Sequence, residues 1–106
     1  MLMKEIGVSE VREILLEVLT GYTEYHDGIP HIPDEKLLKT NLRDEFGMDS
    51  LDFEDMFDKL YDLYGISVDM YNPLTEFAFR REQTVENFID MVNTLNRVNY
   101  NLSQKA

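Results

Sequence analysis

Apolar residues recur at helical spacing in three separate stretches of this chain, and no stretch alternates as a half-buried strand does. Near the start, Val8, Val11, Ile14, Leu15, Val18, Leu19, Tyr22 and Tyr25 form one stripe. In the middle, Phe53, Met56, Phe57, Leu60, Leu63 and Tyr64 fall within about 120° of one another on a wheel drawn at about 100° per residue. Near the end, Val85, Phe88, Ile89, Val92 and Leu95 make the third. A helix with one apolar stripe is not self-sufficient, so three of them must bury one another. The expected fold is all-α: a small bundle of three main helices plus one or two short ones. A chain of 106 residues supplies one domain and one modest core.

Capping and turn residues set the expected boundaries. Ser9 is placed to cap the first helix, which ends near Gly21 or runs on to about Tyr25. His26 to Pro33, with two prolines and a glycine, reads as a loop. Residues 34–39 make a short helical turn with Pro33 at its start. Loop then resumes, with Leu42 and Phe46 anchoring it to the core. The second main helix begins at Asp49 or Ser50 and ends at Tyr64, with Gly65 as its stop. Asp49 with Asp52 three residues on is a capping box in which Asp stands in for Glu. Ile66 and Val68 follow in extended chain, and Asn72-Pro73 opens a short helix over about 73–79. Thr84 caps the last helix. The domain is expected over residues 1–97, with a frayed polar tail over 98–106.

The acidity is concentrated. Residues 44–62 hold eight acids and one base, Lys59, for a charge of −7. The other 87 residues hold 13 acids and 9 bases, for −4, out of −11 in all. Such a balance argues against a nucleic-acid backbone or an anionic membrane as main partner, and for basic protein surfaces or cations. On the wheel, Leu51 falls among Asp55, Asp58 and Asp62, opposite the core face. It is therefore expected to be exposed, as an apolar contact inside a charged rim, beside Ser50. Ser50 itself stands at a helix start, where unpaired N–H groups and the helix dipole favour phosphate. The plainer reading of Ser50 is a capping residue.

Other chemistries fit less well. No cysteine is present, which excludes disulfides, Cys-based zinc sites and a thiolate nucleophile of the chain's own. His26 and His31 flank a Pro-Gly loop at a spacing that suits no standard metal pattern, so no metal site is expected. A calcium-loop template with Gly47 at its sixth position puts Leu42 first and Phe53 last, neither of which is a ligand. A Ser-His-Asp hydrolase lacks its sheet and nucleophile elbow. Arg80 and Arg81 read as surface or helix-end charges. No apolar run approaches the roughly 20 residues of a membrane span. The first residues lack the basic and apolar regions of a secretory signal, so a cytoplasmic monomer is the expectation.

Gly47-Met48-Asp49-Ser50-Leu51-Asp52, at the head of an acidic amphipathic helix, resembles the attachment motif of acyl carrier proteins. Phe46 before it, the long first helix upstream and the final helix from Thr84 to Val92 extend the resemblance to roughly residues 4–97. The resemblance implies an acyl-carrier-like bundle that is not itself an enzyme. It implies 4′-phosphopantetheine joined through its phosphate to Ser50, with a thiol that carries acyl chains as thioesters in fatty-acid, polyketide or related lipid biosynthesis. It implies a phosphopantetheinyl transferase and basic-surfaced acyl-transfer and synthase enzymes as partners. Leu51, Asp52, Asp55 and Asp62 match its partner-docking positions, and Asp49 the acid before the serine. The chain departs from the family in the longer loops at 26–33 and 65–84, and in Glu54 and Asp58 where apolar residues are usual. An aromatic-rich core leaves little room for cargo, which is then short or held outside. Two alternatives stand beside this reading: a carrier of aminoacyl (D-alanyl-type) or peptidyl groups, and an unmodified acidic helical adaptor.

Overall fold

The computed structural model describes residues 5–21, 27–68 and 83–105, with side chains of the last helix described to Val98. Five α-helices occupy these residues: α1 (Val8–Val18), α2 (Asp34–Leu38), α3 (Leu42–Phe46), α4 (Ser50–Tyr64) and α5 (Val85–Lys105). A 3₁₀ turn, Ile29–His31, precedes α2, and no strand is found among the described residues. Helix α1 packs against α4, α5, the 3₁₀ turn and α2, and α2 also meets α5. The architecture is a small all-α bundle, as the three stripes require.

The stripes become the core. Val11, Ile14, Leu15 and Leu19 are buried from the first segment, Phe53, Met56, Phe57 and Leu60 from α4, and Val85, Phe88, Met91, Val92 and Leu95 from α5. Leu42 and Phe46 are buried as expected, and Phe57 stacks on Phe88 with ring centroids 5.9 Å apart. Each such side chain, fully removed from water, contributes about 1.5–3 kcal/mol. Leu63 departs from its expected place. It sits about 80° from Phe53 on the wheel, at the edge of the stripe and in the last turn, and is 43% exposed.

Several boundaries differ from the expectation. The N-cap of α1 is Gly7, so Ser9 lies inside the helix, and α1 stops at Val18 with Leu19 beyond it. The segment before Pro33 is not plain loop: Gly28 has helical backbone angles, and Ile29 in the 3₁₀ turn is fully buried. Arg12 explains its order. The guanidinium donates to the carbonyls of Ile29 (3.0 Å) and Ile32 (2.8 Å) and pairs with Asp34. Residues 42–46 are helical where loop was expected, because Asn41 caps them and Gly47 stops them. Helix α5 continues to Lys105, where a frayed tail was expected, since no glycine or proline interrupts it. Expectations for Tyr22, Tyr25, His26, the short helix at 73–79 and Arg80-Arg81 lie outside the described residues.

Residues 40–42 are clipped to residues 83–85. Leu42 N–H donates to the Gln83 carbonyl (2.8 Å) and Val85 N–H to the Thr40 carbonyl (3.0 Å), flanking an isolated antiparallel bridge between Asn41 and Thr84. Both bridge residues are helix caps. Asn41 Oδ1 accepts from Arg43 and Asp44 N–H (3.0 and 2.9 Å), and Thr84 Oγ1 accepts from Asn87 N–H (3.2 Å). At the N-terminal side, Asn93 brackets Ile6, accepting from its N–H (2.8 Å) and donating to its carbonyl (3.0 Å).

Tyr64 joins α4 to α1 by donating to Glu13 Oε2 (3.1 Å). Burial, that hydrogen bond and the charges of Glu13 and Glu10 push its phenol up from 10.0 to about 12. The protonated phenol therefore stabilises the fold below its ordinary value, and that contribution is lost as pH rises toward about 12. A spectrophotometric titration of the tyrosines is expected to show a late step that Tyr64→Phe removes. Urea unfolding tests the core: Phe53→Ala is expected to cost about 3–5 kcal/mol, while Leu51→Ala changes stability by less than about 0.5 kcal/mol.

Candidate functional site

The site is the entry into α4. The chain turns at Gly47, whose φ of 64° lies in the left-handed region that suits glycine. Met48 then drops into the core, 1% exposed, and brings the chain back to the surface at Asp49. Asp49 has an extended conformation and caps the helix. Its Oδ1 accepts from the N–H groups of Leu51 (3.0 Å) and Asp52 (3.1 Å), and Asp52 Oδ2 accepts from Asp49 N–H (3.0 Å). This is the reciprocal capping box the spacing of Asp49 and Asp52 predicts. At the far end, Gly65, with a φ of 69°, stops the helix and Ile66 tucks into the core.

Ser50 is the first helical residue and is exposed. It is not the cap, since Asp49 fills that place. A groove of about 570 Å³ lies beside it, lined by Arg43, Gly47, Met48, Asp49 and Ser50. The helix start is less open to phosphate than the sequence implies: two of its N–H groups, those of Leu51 and Asp52, are held by the Asp49 carboxylate. What the geometry offers at Ser50 is an exposed residue at the first position of a capped helix, beside open space whose lining includes Arg43.

Leu51 is 66% exposed, as the wheel requires. Asp55, Asp58 and Asp62 are exposed on the same side of α4, so Leu51 stands at one end of an acidic face. Asp49 and Asp52 stand at the same end of the helix as Leu51, where both carboxylates also serve the capping box. Partial burial raises the Asp52 pKa above the ordinary carboxylate value, the Asp49 N–H opposes the rise, and the charges of Asp49 and Asp55 add to it. Its folded-state proton affinity thus exceeds the unfolded one, so this group's stabilising contribution is fullest in acid and is lost as pH rises through its titration.

Arg43 and Tyr61 line clefts that the sequence does not signal, and Met48, within the motif, takes a place it does not specify. Arg43 is half-buried, and its guanidinium carbon lies 5.9 Å from the centroid of the Phe53 ring. Met48 floors the groove. Tyr61, 63% exposed, lines a second cleft of about 360 Å³ with Phe57, Asp58, Asp62, Ser67 and Val68. The Asn41 cap and the Gly47 stop are visible signals that residues 42–46 are a helix, but they do not show that Arg43 lines the groove. His31 is exposed at the end of the 3₁₀ turn, and no cluster of three metal-ligating side chains occurs among the described residues. Nor is any helix among them long and apolar enough to cross a membrane.

Comparison of the chain with protein-family models, curated proteins and solved structures gives no match.

The division of labour between Asp49 and Ser50 is testable by chemical unfolding. Asp49→Ala is expected to cost about 1 kcal/mol, the usual loss for a cap. Ser50→Ala is expected to stay within about 0.5 kcal/mol of wild type. A loss at Ser50 as large as that at Asp49 would make the serine a structural residue.

Proposed function

We propose that this chain is a carrier protein modified on Ser50 by 4′-phosphopantetheine. The observation that carries the reading is the exposed hydroxyl of Ser50 at the first position of α4, held by the Asp49–Asp52 capping box beside an open groove. The residues present fit such an arm. Ser50 supplies the hydroxyl to be esterified, the groove gives room, and Arg43 places a cation in its lining. When attached, the group supplies the thiol that this cysteine-free chain lacks and holds a substrate on it as a thioester.

The chain's own residues do the rest. Capped and packed through Phe53 and Met56, the helix holds Ser50 at a fixed place for a modifying enzyme. The face of Leu51, Asp55, Asp58 and Asp62, with Asp49 and Asp52 at its head, offers one apolar contact within like charges. Such a surface draws basic partners quickly and releases them quickly, which suits a protein that must visit several enzymes in turn. The rings of Phe53, Phe57 and Phe88 occupy the interior, so the reading favours cargo that is short or lies outside the helices. Acyl chains of lipid or polyketide synthesis are the first cargo class, and aminoacyl or peptidyl groups the second. The chain itself performs no catalysis in this reading, and no family match adds to it.

Incubation with coenzyme A and phosphopantetheinyl transferases, read by intact mass, tests the proposal. One arm added to wild type and none to Ser50→Ala is expected. No addition with transferases of several specificities would overturn it and leave an acidic helical adaptor as the reading. The acidic face has its own test. Asp55→Lys and Asp62→Lys are each expected to slow modification about three- to tenfold at low salt with unchanged circular dichroism, and the gap should close as salt screens the field.

A further inference from the structure

We infer that Arg43 is the positioning residue for the phosphate of the arm at Ser50; this rests on the reading of Ser50 as the attachment site. Arg43 and Ser50 line the same groove, with Gly47, Met48 and Asp49 between them. The other charged group of that lining is the carboxylate of Asp49, and Asp44, Glu45 and Asp52 follow closely in the chain. A phosphodiester on Ser50 adds another negative charge to this neighbourhood. With the N–H groups of Leu51 and Asp52 already held by Asp49, the helix start has little left to offset it. Arg43 brings a cation to the same lining, and a guanidinium matches phosphate oxygens.

The backbone and side chain of Arg43 are both fixed in place. Its N–H donates to the Asn41 cap (3.0 Å), and Leu42 beside it is clipped to Gln83. Its guanidinium lies against Phe53, the fully buried ring in the first turns of α4. The cation is therefore attached to both sides of the turn at Gly47, and little side-chain freedom remains to be lost when an anion arrives. The effect proposed is electrostatic: within the groove that both residues line, Arg43 draws the phosphate of the ester to its own side and away from the carboxylate of Asp49.

The test compares apo and modified protein after intact mass has established one arm on Ser50. In wild type, the Arg43 side-chain N–H resonance is expected to move on modification, while amides in the middle of α5 stay in place. Urea unfolding of both forms is then measured for wild type, Arg43→Lys and Arg43→Gln. Modification is expected to shift the unfolding equilibrium of Arg43→Gln toward the unfolded form roughly two- to fivefold more than that of wild type, the range of an exposed ion pair. Arg43→Lys should keep part of the difference, and added salt should reduce it. A modified protein with an unmoved Arg43 resonance and the same shift in all three variants would overturn the role of Arg43 while leaving Ser50 as the attachment site. Absence of any added arm would overturn both. The resonance measurement uses wild type alone, so it decides the matter even if Arg43→Gln does not fold.

Discussion

Phe53, Met56, Phe57 and Leu60 are all buried together in only one rotation of α4, and that rotation decides what the helix shows to water. It sends Leu51, Asp55, Asp58 and Asp62 to the opposite side, where charges stay hydrated and a lone leucine stays exposed. Turning the helix to hide Leu51 would drag carboxylates toward the core, at a desolvation cost far above the gain from one leucine. The exposed leucine thus follows from burial of its neighbours. The capping box acts with this constraint. It starts the helix at Ser50, so the hydroxyl lies outside the packed layers while still belonging to a rigid element.

The turn into α4 is held from a second direction. The caps of α3 and α5, Asn41 and Thr84, lie side by side in one short bridge, so the starts of two helices are fixed by the same pair of backbone hydrogen bonds. Arg12 does similar work for the earlier segment through two carbonyls and Asp34. The groove beside Ser50 therefore has a floor in Met48 and a wall in Arg43 whose backbones are both constrained. A serine that must be found repeatedly by different enzymes benefits from such a frame, because little ordering remains to be done at each encounter.

The main helices were legible because their signals are redundant: a long apolar period, a capping box and a glycine stop agree for α4, and its limits fall where they place them. Exposure of Leu51 was legible for the same reason. Short elements were not. Five-residue helices such as α3 carry too few apolar positions for a period, so Leu42 and Phe46 read as loop anchors although Asn41 and Gly47 bracket them. Ile29 sits in a stretch that looks like loop by its prolines and glycine, and only the distant Arg12 reveals why it is ordered and buried. Arg43 is invisible as a site residue in one dimension, because its place in the groove depends on how α3 and α4 fold back across Gly47.

In the proposed function these pieces have one purpose: to hold a hydroxyl in reach of modifying and acyl-handling enzymes, with an acidic surface to bring them in. The most direct measurement is peptide mapping by mass spectrometry. Trypsin should release Asp44 to Lys59, a peptide bounded by Arg43 and Lys59 that contains Ser50 and no other serine. The account predicts that this peptide, from protein treated with coenzyme A and a competent transferase, carries the arm on Ser50. Recovery of the peptide wholly bare, both from the protein's own cells and after treatment with transferases of several specificities, would contradict it.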